Sequence, residues 1–372
     1  MAPRSRRNAV SHFNVMVVGS AGVGKTSFVK TLLAALKTEM PKEKRDSAVG
    51  PSESDIRKDP THGPLSKTLA PYTVSSSIEV DGDKVMLTVI DTPGFYDDFR
   101  VDKQLHDILG YIEHQFDLTL AEENKVKRNP KASDTQVHAC LYLLDPSKPA
   151  LGEYDIRILT QLSKRVNVIP VVSKADNLTA AQRRRLKPSI IHDIYTKHKI
   201  PLYGMPEDEP EDEEDEEGGD NSDNTKDNKN DGNNNNNVSS AATGSLEEFL
   251  DQFDYEKEDE ETQTFIDYLR MVPFTTIAYE DDPDTGEPLA MKDGIKIGRD
   301  YGWVQIDCLS DKFSDFAALK TTLLSSHRRI LQSETIERYY EQYRTERLLI
   351  RRATKLKSMD VGKKLLADLN QL

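Results

Sequence analysis

The sequence predicts an α/β fold, a mostly parallel sheet flanked by helices. Three observations predict it. The run 13–18 is short and apolar, as a buried strand is, and the glycine-rich stretch after it leads into Phe28, Leu32, Leu33 and Leu36 at helical spacing. Further apolar runs at 85–90, 137–144 and 166–172 alternate with amphipathic stretches of helical period. Alternation of this kind packs helices onto a parallel sheet and places a ligand at the strands' carboxyl ends.

Composition narrows the class. The 372 residues are 36% hydrophobic and 31% charged, which allows one large domain or two. No apolar run approaches the ~20 residues of a spanning helix, and the first residues lack the apolar core of a secretory signal. Cys140 and Cys308 both sit in apolar stretches, which suits a reducing, cytoplasmic setting and excludes a disulfide framework. The eight histidines show no metal-ligand spacing. The net charge of −14 is concentrated: residues 207–261 carry 23 acidic residues and three lysines, a net of −20, which leaves the rest of the chain at +6. No nucleic-acid partner is expected.

Residues 1–12 form a short basic arm with Arg4, Arg6 and Arg7, either a solvated tail or a contact for anionic lipid. The stretch Gly19-Ser20-Ala21-Gly22-Val23-Gly24-Lys25-Thr26 fits G-x-x-x-x-G-K-[ST], the phosphate-binding loop of nucleoside triphosphatases. Strand, glycine loop and helix in this order turn backbone N–H groups and a helix start toward phosphate. Gly19, Gly22, Val23, Gly24, Lys25, Thr26 and Ser27 are therefore the candidate phosphate cradle. Lys25 would reach the outer phosphates and the Thr26 hydroxyl would ligate Mg²⁺.

A long aperiodic loop spans 38–67. Strands over 73–80 and 84–90 follow, joined at Asp81-Gly82, a hairpin signal. The second runs into Asp91-Thr92-Pro93-Gly94, where Asp91 can hold the Mg²⁺ shell and the Gly94 N–H can meet a γ-phosphate and sense its loss. A core-facing helix is expected over 102–124, a strand at 137–144 containing a packed His138, a helix near 153–164 and a strand at 166–172. That strand ends in Ser173-Lys174-Ala175-Asp176. The Asp176 carboxylate can accept from guanine N1–H and the exocyclic amino group, which adenine cannot supply, and the Lys174 stem can pack over the base.

A helix over 179–198 carries Arg183, Arg184, Arg185 and Lys187. Residues 207–243 are too polar to order, and 246–261 read as marginally helical. Order is expected again at about Thr262, with strands at 272–278 and 303–306 in a small antiparallel meander marked by turns at 283–286 and Asp293-Gly294. Helices over 311–331 and 335–357 close the pattern, the second basic, with no sustained heptads.

Together these residues resemble the septin family of GTP-binding proteins. The phosphate loop, Asp-Thr-Pro-Gly and Lys-Ala-Asp stand at septin spacing, with Ser173 where septins usually carry alanine. Val-His-Ala-Cys-Leu-Tyr at 137–142, Val-Asn-Val-Ile-Pro-Val-Val at 166–172 and Met-Val-Pro-Phe at 271–274 also match. Gly298-Arg299-Asp300-Tyr301-Gly302-Trp303 resembles the septin signature Gly-Arg-x-Tyr-Pro-Trp-Gly, and the run 339–348 resembles the domain's end. The resemblance implies a phosphate-loop NTPase (Ras-like GTPase) fold with a septin-type antiparallel meander and extra C-terminal helices. It divides the chain into the basic arm 1–12, a GTP-binding domain over 13–350 that holds the acidic, Asn-rich, largely disordered insertion 207–261, and a basic helical segment 333–372.

By the same resemblance Arg299 would contact the guanine base, Ala278 would lie near it, and Tyr301 and Trp303 would sit at a nucleotide-side interface. Thr68, 23 residues before Asp91, stands where hydrolysing septins carry a threonine linked to the attacking water and Mg²⁺. The catalytic set is then Thr68, Lys25 and Gly94, and the metal set Thr26, Asp91 and Thr68. The implied cofactors are GTP or GDP and Mg²⁺. The implied partners are other septin subunits in filaments, with an anionic membrane as an alternative contact, at the cell cortex or division septum.

There are departures. Gly302 and Val304 replace the signature's proline and final glycine, and residues 145–151 replace a Ser-Pro-Phe-Gly-His-Gly-Leu loop. A divergent septin without a terminal coiled coil fits a filamentous fungus or similar eukaryote. Three readings stay open: a slow GTPase in filaments, a structural subunit that holds nucleotide without turnover, and a solitary membrane-associated signalling GTPase.

Overall fold

The computed structural model describes residues 10–39, 67–96, 98–127, 133–148, 150–205, 246, 250–251, 253–289, 291 and 295–355. The basic arm through residue 9, most of the 38–67 loop, the polar run 207–243, the Asp293-Gly294 turn and the end of the chain lie outside them.

The central sheet has the strand order β2-β3-β1-β4-β5-β6. β1 is Ser11–Gly19, β2 Tyr72–Val80, β3 Asp83–Asp91, β4 Ala139–Leu144, β5 Val168–Val172 and β6 Phe274–Thr275. β3, β1, β4, β5 and β6 pair in parallel, and β2 runs antiparallel to β3 at the edge. This is the expected α/β architecture. β1, β4 and β5 are almost wholly buried and apolar, as central parallel strands must be, whereas β2 alternates and shows serines to solvent. Asp81 and Gly82 both take positive φ, 52° and 80°, and make the β2–β3 turn.

Register aligns the strand ends. Val17 lies opposite both Asp91 and Leu141, and Val172 opposite Leu144 and Thr275. The loops after β1, β3 and β5 therefore open on the same edge of the sheet. Helix α1 (Lys25–Glu39) buries Phe28, Val29 and Leu32, and α2 (Val101–Glu123) buries Leu105, Ile108, Ile112 and Phe116. α3 (Glu153–Leu162) and α4 (Ala180–Ile191) follow their strands, and α4 continues as a π-helical turn to Lys197. His138 is a packed strand residue, as expected: its Nδ1 accepts from the Asn14 N–H at 2.9 Å, its Nε2 lies 3.0 Å from Asp134, and it stacks on Phe13.

The second half departs from expectation in four places. Order returns before Thr262: Leu246 and Leu250 are buried with the core, and α5 starts at Glu260 (Glu260–Met271). The strand expected over 272–278 is only two residues, because past Thr276 the chain turns onto α1, where the Tyr279 N–H bonds Thr31 Oγ1 at 3.1 Å. The expected 303–306 strand is half turn: the Tyr301 N–H bonds the Val304 carbonyl at 3.0 Å and Gly302 takes φ 79°. The strands are instead β7 (Gly298–Asp300) and β8 (Gln305–Asp307), with Trp303 at the hairpin tip, 85% exposed.

Fourth, the helix boundary expected at 332–334 lies at His327. α6 (Phe316–Thr321) runs through a π turn to Ser326. α7 (Arg328–Glu334) then continues through a second π turn into α8 (Glu341–Lys355). No glycine or proline stops the helix at 332–335, and buried Thr335 is held by Asn167 Nδ2 of the sheet at 3.2 Å. Tyr340 and Tyr343 pack on Phe116 of α2, and two basic residues of α8 are spent there: Arg347 pairs with Asp117 and Arg344 with Glu123, while Arg165, ahead of β5, clamps Glu346 of α8 at 2.8 Å.

His327 sits among Tyr203, Phe265 and Tyr268, with its Nδ1 2.8 Å from the Tyr203 hydroxyl. Burial lowers its pKa from 6.5 to about 4. The folded value is below the unfolded one, so the neutral ring's contribution is complete above 6.5 and is lost as pH falls toward 4. Urea unfolding at pH 7 and pH 4.5 should show the wild type losing up to about 3 kcal/mol more stability than His327→Gln over this interval.

Candidate functional site

The site begins where β1 ends. Gly22 and Gly24 take φ 80° and 103°, which side chains rarely adopt, and this turns the loop's N–H groups inward. Val23 is buried and pins the loop, and its carbonyl accepts from Ser173 Oγ at 2.9 Å. Ser27 is half-buried in the first turn of α1, and its carbonyl accepts from Thr31.

Lys25 folds back over the loop. Its Nζ donates to the Gly19 carbonyl at 3.0 Å and the Ser20 carbonyl at 2.9 Å. Burial lowers its pKa to about 8, against the opposing pull of Asp91. A desolvated ammonium that holds only carbonyl dipoles is well placed to gain from phosphate anions.

Three oxygens converge beside it. Thr26 Oγ1 donates to Asp91 Oδ2 at 2.6 Å, Thr68 Oγ1 donates to the same oxygen at 2.9 Å, and the two hydroxyls are 3.2 Å apart. The other oxygen, Asp91 Oδ1, is buried with no partner. Burial raises the Asp91 pKa, and the two threonine hydrogen bonds and Lys25 oppose it. One carboxylate with an unsatisfied buried oxygen, together with two hydroxyls, suits a hard cation that keeps water and phosphate ligands, as Mg²⁺ does. Among the described residues no group of three or more His, Cys, Asp and Glu could hold a metal. The set thus fits an ion shared with a substrate rather than an all-protein cage.

The Asp91–Gly94 turn is sewn to the phosphate loop. The Phe95 N–H donates to the Gly19 carbonyl at 3.1 Å, and the Ala21 N–H donates to the Phe95 carbonyl at 2.7 Å. Gly94 is required by this closeness: a Cβ there would lie 2.5 Å from Ala21 Cα and 2.9 Å from Lys25 Nζ. Thr92 Oγ1 anchors the turn on the Val17 carbonyl at 2.8 Å. Gln104, from the first turn of α2, braces it from the other side. Its Nε2 donates to the Gly94 carbonyl at 3.0 Å and its Oε1 accepts from the Tyr96 N–H at 3.1 Å.

The other end of the cleft lies past β5. Ser173 Oγ reaches both the Val23 and Leu144 carbonyls, tying the loop after β5 to the phosphate loop. Lys174 takes φ 49° and donates to the Gly22 carbonyl at 2.7 Å, so its stem crosses the phosphate loop. Asp176 Oδ2 accepts from the Tyr301 hydroxyl at 2.5 Å and lies 3.4 Å from Arg299 Nη1, while Asp176 Oδ1 is buried without a partner. Burial and the Asp176 carboxylate raise the Tyr301 pKa. Ala278 is half-buried beside Tyr279, whose N–H docks on α1, and Lys30 of α1 pairs with Asp281 at 2.8 Å.

The geometry thus brings two clusters to one edge of the sheet: Lys25, Thr26, Thr68, Asp91 and Gly94 at one end, Lys174, Asp176 and Arg299 at the other. Ala278 contacts neither cluster through any hydrogen bond. Sequence reasoning missed Gln104, the bridging role of Ser173 and the Lys30–Asp281 pair. Each is a lone polar residue whose partner is distant or irregular in sequence, so no spacing announces it.

The septin family model matches residues 10–228 and 238–357. Cell division control protein 11 of Saccharomyces cerevisiae is 32% identical over 337 residues, which cover 90% of this chain and 66% of that protein. Septin homolog spn3 of Schizosaccharomyces pombe is 31% identical over 336 residues, which cover 90% of this chain and 72% of that protein. The chain therefore spans about two thirds of the length of these relatives. The crystal structure of a septin GTPase domain from Chlamydomonas reinhardtii shares the fold, with a TM-score of 0.53 at 22% identity over 91% of this chain and all of that one.

Proposed function

The chain belongs to the septin family of GTP-binding cytoskeletal proteins, and on that premise we propose that it binds guanine nucleotide, hydrolyses GTP slowly and assembles with other septin subunits into filaments. The observation that carries the reading is the convergence of Thr26 and Thr68 on Asp91 Oδ2 beside a desolvated Lys25.

In this reading Lys25 and the loop amides stabilise charge on the transferring phosphoryl group, and the Gly94 N–H meets the γ-phosphate. Thr68 orients the attacking water. Bound Mg²⁺, held by Thr26, Thr68 and Asp91, would supply charge neutralisation at the outer phosphates. Asp176 reads the base, with Lys174 and Arg299 beside it. The reaction should be slow. Phe95 follows Gly94 and is buried, where Ras-like enzymes place a water-orienting glutamine. Gln104 reaches this turn, but both ends of its amide are committed to Gly94 and Tyr96. Turnover on the order of 10⁻⁴ s⁻¹ is expected.

Trp303, exposed at the hairpin tip next to the base end, supports assembly across the nucleotide-side face. The names Cell division control protein 11 and Septation protein 7 belong to relatives that suggest a place at the division septum or cortex. Exposed Arg184 and Arg185 on α4, and Arg351 and Arg352 on α8, are among the described residues suited to an anionic membrane.

The test is to extract nucleotide from the purified protein and follow single-turnover GTP hydrolysis. Thr68→Ala should slow hydrolysis roughly a hundredfold, the usual cost of losing one positioned catalytic hydroxyl or donor. Bound GTP that wild type never turns over would leave a structural nucleotide binder. Absence of guanine nucleotide would overturn the assignment.

A further inference from the structure

The carboxylate assigned to base reading is covered. The Asp176 side chain is only 5% exposed. Its Oδ1 is buried and unpartnered, and its Oδ2 already takes the Tyr301 hydroxyl at 2.5 Å with Arg299 Nη1 at 3.4 Å. Guanine needs both oxygens, one for N1–H and one for the exocyclic amino group. A base at this carboxylate would have to share Oδ2 with the Tyr301 hydroxyl or displace it.

The groups on Oδ2 come from the β7–β8 hairpin. Its tip is tied together internally: Asp300 accepts from the Gly302 N–H at 2.7 Å and from Gln305 Nε2 at 2.7 Å, and Tyr301 and Val304 close the turn. The Arg299 guanidinium lies over the Tyr301 ring, 5.8 Å from its centroid. Tyr301 and Trp303, within one hydrogen-bonded turn, therefore shift together if the Tyr301–Asp176 bond breaks. Trp303 is the chain's sole tryptophan, and its ring centroid is 6.5 Å from that of Tyr301.

We infer that Tyr301 is a specificity-determining residue that competes with guanine for Asp176, so that nucleotide binding releases the hairpin and shifts Trp303. This rests on the guanine reading of Asp176. The hydroxyl supplies the same kind of donor as guanine N1–H, so it satisfies the buried carboxylate and sets a threshold that the base must overcome. Adenine gains nothing from the release, because it offers that carboxylate no donor pair.

The experiment uses nucleotide-stripped full-length protein, wild type and Tyr301→Phe, titrated with GDP and with ADP by calorimetry while Trp303 emission is recorded. Tyr301→Phe should bind GDP about tenfold more tightly, as expected when a competing hydrogen bond to a charged group is removed, with no gain for ADP. GDP should change Trp303 emission in wild type, and ligand-free Tyr301→Phe should already show the shifted emission. If GDP binds both proteins equally, or binds Tyr301→Phe more weakly, the competition is overturned while the guanine reading stands. An equal gain for ADP would also overturn it, since that marks general loosening of the pocket. If calorimetry shows no GDP binding to either protein, both readings fall.

Discussion

Asp176→Asn should exchange the base preference from guanine to xanthine. Asp176 Oδ1 is buried without a partner, and Oδ2 faces the donors of Tyr301 and Arg299. An asparagine keeps one acceptor and turns the other position into a donor. Guanine would then set its amino group against an amide N–H₂, two donors with no acceptor between them in a buried site. Xanthine carries a carbonyl in place of that amino group and pairs with the same amide. GDP affinity should fall by at least about a hundredfold, and xanthosine diphosphate should bind where it did not before. Competition titrations with the two nucleotides on wild type and variant measure this directly. A variant that loses GDP without gaining the xanthine nucleotide would mean that Asp176 supports the loop rather than reads the base. The substitution also separates the two ends of the cleft, because Lys25, Thr26 and Asp91 make no contact with Asp176 through any hydrogen bond.

How much of this could be read from sequence follows from how local each feature is. The phosphate loop and the Asp91–Gly94 turn are contiguous strings at strand ends, so pattern and position agree. Thr68 is different: nothing around it marks it, and only the family resemblance singled it out before Asp91 was seen to accept its hydroxyl. The hairpin departs from the expected position because Trp303 and Ile306 suggest a strand, while the turn depends on Gly302 at φ 79°, the Tyr301–Val304 backbone bond and the Asp300 side chain. The helix boundary at His327 was missed because π turns keep the chain helical while shifting its period. Leu246 and Leu250 were overlooked because two apolar residues in an acid-rich stretch are too few to register, although both reach the core. Gln104 is illegible in principle: its two partners are backbone groups of a turn with no regular period.

Gly94→Ala should separate hydrolysis from GDP binding. The methyl group would be placed 2.5 Å from Ala21 Cα and 2.8 Å from Ala21 N, and both of those atoms are backbone. Neither can rotate away, so the turn after β3 must retreat from the phosphate loop. The bonds that sew the two together, Phe95 N–H to Gly19 and Ala21 N–H to Phe95, lie within two residues of the clash and would lengthen or break. Gln104 resists by holding Gly94 and Tyr96 from the α2 side, so the displacement distorts the turn instead of shifting it whole. The Gly94 N–H would then be misplaced from the γ-phosphate by something near 1 Å, an error that costs on the order of 10²-fold in rate. Single-turnover GTP hydrolysis should fall by that factor. GDP offers no γ-phosphate to that N–H, and its base contacts lie at the opposite end of the cleft, so GDP affinity should change less than about threefold, an effect under 1 kcal/mol. If wild type proves not to turn over, the same logic applies to binding: the variant should lose affinity for GTP and keep it for GDP. Equal losses for both nucleotides would show that the substitution collapses the phosphate loop itself, and would remove Gly94 from any role in distinguishing GTP from GDP.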